Sequence, residues 1–189
     1  GREKSRISIA EIEDKIEAFV RRLLDTRIQS FLGGTGPEKF FVRSNPELVW
    51  AALRDASSGN PRRLGFILKE CHKSRVSQGK LISKQSVMDA AVSVYQRKTL
   101  DPFANKLIRL SRQERSSRQA LLELLGKLVS RAAELADPAN DRPASHFYVE
   151  ESCEDAFATL EMVQFVTRYH EFTHNERKFV LFAFNYGLA

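Results

Sequence analysis

Ser57-Ser58-Gly59-Asn60-Pro61-Arg62-Arg63-Leu64 is the stretch from which the fold can be read. Ser57-Ser58-Gly59 ends one helix and Asn60 caps the next, with Pro61 at its first helical position, where a missing N–H costs nothing. Leu64, Ile67, Leu68 and Cys71 then recur at helical spacing. Upstream, Leu48, Val49, Ala52 and Leu53 form the apolar side of the helix that closes at Ser57. Ser44 and Glu47 have the spacing of a capping box around Asn45-Pro46, which predicts its start. Downstream, Gln78-Gly79 breaks the chain, and Ser83 caps a helix carrying Val87, Ala91, Val94 and Tyr95. Asp101-Pro102 reads as a further start, with Phe103, Leu107 and Leu110 on its inner side.

The same reading extends to both ends. Ile9, Ile12, Ile16, Phe19, Leu23, Ile28 and Phe31 predict a long amphipathic helix over 9–32, capped by Ser8 and stopped by Gly33-Gly34. Residues 113–136 form another, rich in leucine from Leu121 to Leu135, closed by Asp137-Pro138. The pattern then changes. Phe147-Tyr148-Val149 is strand-like, and 152–162 is helical in type. Gln164 to Glu171 and Arg177 to Asn185 are two strands joined through Phe172-Thr173-His174-Asn175-Glu176. Helix, strand, helix and hairpin make a winged-helix arrangement. The fold class expected is mainly α: a helical bundle over 1–110, then a winged helix with a C-terminal β-hairpin over 111–189.

Composition supports two modules. The 189 residues carry 30 Lys and Arg against 24 Asp and Glu, a net charge of +6. Residues 1–110 hold 21 basic and 12 acidic side chains, whereas 111–189 hold 9 and 12. Ten of the 17 Phe and Tyr fall in 147–189. Two cysteines, Cys71 and Cys153, make no disulfide framework and point to a reducing, cytoplasmic setting. No uncharged apolar run approaches about 18 residues, so no membrane span is expected. The chain begins with Gly, which reads as a tag scar or a cut from a longer protein.

The phrase Ser58-Gly59-Asn60-Pro61-Arg62-Arg63-Leu64 resembles the second sensor motif of AAA+ and related STAND ATPases. There a Gly, two variable residues and an Arg open a helix of the small lid domain. The resemblance implies that Gly59 makes the turn and Arg62 meets the γ-phosphate of ATP, with Arg63 as a second candidate. A helix N-terminus favours anions, and an Arg in its first turn adds a permanently charged bidentate donor. The helical order and the ending Phe182-Ala183-Phe184-Asn185-Tyr186-Gly187-Leu188 are similar to the C-terminal part of origin-recognition-type AAA+ ATPases and their bacterial relatives.

No Walker A accompanies it. Gly79-Lys80 and Gly126-Lys127 are each followed by Leu, and neither has Gly five positions upstream. No acidic pair at a strand end offers a Walker B. The expectation is a non-catalytic lid plus winged helix whose ATPase core lies N-terminal, with ATP and Mg bound by the full-length protein only. It would relay the nucleotide state to a protein partner or by self-association. A winged-helix nucleic-acid-binding module and a helical protein-interaction domain are the alternatives.

Charge placement bears on the nucleic-acid alternative. The helix before the hairpin contains Glu154, Asp155 and Glu161, and no Lys or Arg lies between Arg142 and Arg168. Such a helix is repelled by a duplex carrying about one charge per 1.7 Å. The candidate contacts are Arg168, Arg177 and Lys178 on the hairpin, and the stripe Arg109, Arg112, Arg115 and Arg118. No metal site is expected, because His170 and His174 fall on a strand and its tip rather than on one converging face. Cys71, Trp50 and Phe41 read as core.

Overall fold

The computed structural model describes residues 8–105, 118–137, 144–153 and 155–185. The chain packs as two compact units, Glu13–Val94 and a second formed by Gly1–Ile12 with Tyr95–Ala189. This division falls earlier than the change in composition at residue 110, and it draws residues 8–12 into the second unit. Mainly helical structure with a small C-terminal antiparallel sheet is the architecture observed.

Helix α1 (Ile9–Leu32) begins where expected. The Glu11 N–H donates to Ser8 Oγ at 3.1 Å and the Ser8 N–H to Glu11 Oε2 at 2.9 Å, a reciprocal capping box. In the unit Glu13–Val94, α1 is followed by α2 (Pro46–Ser57), α3 (Pro61–Ser74) and α4 (Lys84–Tyr95), the last leaving the unit at Val94. Their inner faces bury Val20, Leu53, Leu64, Ile67, Cys71 and Val87. Trp50 and Phe41 lie in this core, edge to face at 5.1 Å. A pairing the sequence did not suggest helps to close it: Phe41 and Ile82 form a parallel bridge, with the Val42 N–H on Ile82 O at 2.9 Å.

Two expected helix starts differ. The α2 N-cap is Asn45 without a side-chain cap bond, and Ser44 and Glu47 make no box. Glu47 instead pairs with Arg21 of α1. Asp101-Pro102 does not begin a new helix either. Gln96–Leu100 is a π-helical turn that carries α4 without interruption into α5 (Asp101–Ala104), Tyr95 and Asp101 both being right-handed helical. The Asp101 N–H bonds Gln96 O, five residues back. Pro102 has no N–H and its ring crowds the preceding turn, so the wider turn accommodates a residue an α-helix would reject.

The second unit continues with α6 (described over Arg118–Glu134), β1 (His146–Glu150), α7 (Asp155–Met162), β2 (Val166–His174) and β3 (Arg177–Phe184). This is the helix, strand, helix, hairpin order read from the sequence. The sheet order is β1-β3-β2, all antiparallel, so β3 is central. Its run Val180-Leu181-Phe182-Ala183-Phe184 is buried on both faces, which is why it lacks alternation. Val180, Phe182 and Phe184 share one face and join Leu121, Leu125, Leu160 and Phe165 in the core. The hairpin tip is tighter than expected. Only Asn175 and Glu176 connect the strands, at φ 47° and 62°, the left-handed pair of a type I′ turn. Leu107, Leu110 and the ending Tyr186-Gly187-Leu188 lie outside the described residues.

Candidate functional site

The corner between α2 and α3 is built by backbone conformation before any side chain acts. Ser58 and Gly59 both adopt positive φ, 49° and 71°. A Cβ on Gly59 would also lie 3.2 Å from Ile16 Cγ2 of α1, so close packing and the left-handed turn both call for glycine here. Asn60 then caps α3 with its side chain: Oδ1 accepts from the N–H of Arg62 at 3.0 Å and of Arg63 at 3.1 Å. This corrects one expectation. Those two N–H groups serve the cap, so a phosphate at this end would meet the guanidinium and the helix dipole rather than free amides.

The two arginines differ. Arg62 is exposed, with Cζ 5.8 Å from the Phe66 ring centroid on the same face. Arg63 is 7% exposed and turns toward the core side with Leu64. Only Arg62 is positioned to reach a ligand from solvent.

Beside this corner Arg54 of α2 and Arg21 of α1 are matched to carboxylates. Arg54 reaches Asp55 at 2.7 Å, Glu13 at 3.4 Å and Glu17 at 3.5 Å. Burial pulls its guanidinium pKa down, and the neighbouring carboxylates more than offset that, leaving it above the usual value. Arg21 pairs with Glu17 at 2.7 Å and with Glu47, its guanidinium lying 4.7 Å from the Trp50 ring centroid.

The candidate nucleic-acid contacts are similarly engaged. Arg168 pairs with Glu171 at 2.7 Å, Arg177 with Glu150 at 3.8 Å and Lys178 with Glu151 at 3.2 Å. Arg118 donates to Phe103 O at 3.0 Å and its guanidinium stands 5.1 Å from the Phe103 ring centroid, a contact inside its own unit. Arg109, Arg112, Arg115 and Glu154 lie outside the described residues.

A different set of cations escaped the sequence reading. Lys69 and Lys73 follow Arg62 and Phe66 at spacings of four, three and four residues, opposite the buried Leu64, Ile67 and Cys71. Beyond α3, a turn held by the Gln78 and Lys80 N–H groups on Arg75 O presents Lys80, and α4 opens with Lys84. All four lysines are exposed. Among the described residues none of them makes an ion pair. A count of charge in a window over 61–84 would have found them; apolar periodicity does not.

Cys71 is fully buried, donates to Ser86 O at 3.6 Å, and burial pushes its thiol up to about 11. A cavity of about 750 Å3 opens in the second unit between Leu128 and Ala132 of α6, Phe147 and Val149 of β1, Phe157 of α7 and Phe179 of β3. Its lining is mostly hydrocarbon, with His146, Glu150, Cys153 and His174 among the polar residues that join it. No protein-family model, curated protein or solved structure matches this chain.

Proposed function

We propose that this chain is the nucleotide-sensing lid and C-terminal relay module of an AAA+/STAND-type P-loop ATPase, with Arg62 reading the γ-phosphate. The carrying observation is the α2–α3 corner. Gly59 makes the turn, Asn60 fixes the first turn of α3, and Arg62 stands exposed there with no carboxylate among the described residues competing for it. The chain's own contribution is one oriented, permanently charged donor at the positive end of a helix. ATP and Mg would be held by a core domain elsewhere in the full-length protein, and this chain alone would turn over no ATP. The sheet-bearing unit then meets a protein partner, a reading supported by the pairing of its hairpin cations with carboxylates.

The test is Arg62→Ala in the full-length protein. ATP hydrolysis falls at least tenfold, the order expected for loss of one transition-state donor, while the melting temperature stays unchanged. Wild-type turnover, or a native reading frame without a P-loop, would remove Arg62 and the lid from the mechanism.

A further inference from the structure

We infer that the outer face of α3 beyond Arg62, together with the turn into α4, is a docking surface for the phosphate backbone of duplex nucleic acid. The first support is where the charge sits. Residues 61–84 hold seven Lys and Arg and a single acid, Glu70. Outside this stretch the chain has 23 basic and 23 acidic residues. The whole net charge of the protein is therefore the excess of one corner. Helix α1, of equal length, carries four basic and five acidic residues.

The second support is how the structure presents that charge. Lys69 and Lys73 lie one turn apart on the solvent face of α3, about 6 Å along its axis. Lys80 follows on a folded turn. Gly79 sits at φ 69° there, and the Arg75 Nε donates to Leu81 O at 3.2 Å. Lys84 stands at the first position of α4. The corner is tied from beneath by Cys71 Sγ on Ser86 O, so it is a formed surface, not a tail. Among the described residues no carboxylate neutralises these lysines, whereas Arg21 of α1, Arg54 of α2 and the hairpin's Arg168, Arg177 and Lys178 each have a carboxylate partner.

The chemistry between the lysines selects the partner. Gln78 is exposed between the lysines, and its side-chain amide, with Lys, suits phosphate contacts; the Ser74 and Ser77 hydroxyls donate to Glu70 O at 2.9 Å and Lys73 O at 2.8 Å and hold the segment itself. Protein interfaces are depleted in Lys and centre on aromatic or aliphatic anchors. Here the exposed large apolar side chain is Leu81, 38% exposed, with Phe66 half-buried under Arg62. An anionic membrane would need a continuous apolar face for insertion, and α3 directs its own inward. A surface of lysines contacts the backbone without reading bases, so binding is independent of sequence. The inference holds whether or not Arg62 senses nucleotide.

The experiment titrates this chain with a fluorescent mixed-sequence duplex of 30 base pairs over a range of KCl concentrations, read by anisotropy. With about four lysines and Arg75 engaged, log K against log[salt] has a slope of about −4. Lys69→Gln/Lys73→Gln makes the slope shallower by about 2 and weakens binding at least tenfold at low salt, with an unchanged melting temperature. Lys69→Arg/Lys73→Arg keeps both. Arg177→Gln/Lys178→Gln leaves both unchanged, and an unrelated duplex sequence binds within about threefold. Four results would overturn the inference. They are no salt-dependent binding, loss only on substituting Arg109, Arg112 and Arg115, tighter binding of polyglutamate or of phosphatidylserine vesicles than of duplex at equal charge, and a hundredfold preference for one sequence.

Discussion

The outer face of α3 and the β2–β3 hairpin are both exposed and both bear cations, yet they dispose of them oppositely. On the hairpin Arg168, Arg177 and Lys178 each lie within 4 Å of a glutamate, two of them from β1 and the turn after it. On α3 and the turn after it, Lys69, Lys73, Lys80 and Lys84 have no such neighbour among the described residues. Counting arginines and lysines would rate the hairpin a fair phosphate binder. Counting what is left after pairing removes it and leaves the α3 corner. A partner's phosphate competes with an existing carboxylate in one place and only with water in the other.

The sharpest way to break this comparison is to ask what holds the hairpin. If its ion pairs serve no external ligand and contribute little themselves, apolar burial must hold it. Phe182→Ala should then cost about 3–5 kcal/mol in urea denaturation, because Phe182 is fully buried and stacks near Phe147 and Phe157. Lys178→Gln should cost under about 0.5 kcal/mol, since both members of its pair are largely exposed. Equal losses would mean that the ionic cross-strand contacts are structural in their own right.

A smaller effect separates paired cations that are buried from those that are not. Arg54→Met leaves Glu13, Glu17 and Asp55 clustered without their shared cation, and the Arg54 side chain is 17% exposed. Stability should fall by about 2 kcal/mol, and added salt should restore part of it. A change under about 0.5 kcal/mol would place Arg54 with the solvent-screened pairs of the hairpin.

The smallest effect concerns a charge that the fold prevents from forming. The Cys71 thiol is pushed up to about 11 from 9.0, chiefly by burial. The unfolded chain releases this proton first, so the contribution is whole below pH 9 and is lost as pH rises toward 11. Between pH 8 and 10 the wild type should lose about 1 kcal/mol more than Cys71→Ala, measured by urea titration at each pH. Parallel curves would show the thiol to be accessible to water.

Much of the helical skeleton could be read locally. Ser8 with Glu11 and Asn60 with Pro61 are caps whose partners lie within three residues, so sequence spacing and structure agree. Failures occurred where a distant residue decided. Glu47 had the spacing for a box with Ser44, but Arg21, on another helix, takes it. Asp101-Pro102 had the signature of a helix start, and a widened turn absorbed it. The hairpin tip lacked an Asn-Gly signal, since Glu176 fills the second left-handed position usually left to glycine. Arg62 was legible through a four-residue phrase. Lys69, Lys73, Lys80 and Lys84 were not, because helix reading attends to the apolar stripe and treats its opposite face as solvent.

The π-helical turn at Gln96–Leu100 has a consequence for phase. Tyr95 and Phe103 are eight residues apart, yet both rings meet Phe165, at 6.2 and 5.1 Å. Eight residues of regular α-helix rotate about 800°, some 80° past two full turns, which would point the two rings in different directions. A wider turn advances less per residue and takes up that excess. The segment thus behaves as a vernier, its one surplus residue aligning two aromatic rows that a uniform helix would leave out of step. Deleting a single residue there would lengthen no loop and break no cap, but it would rotate everything after it by one helical position.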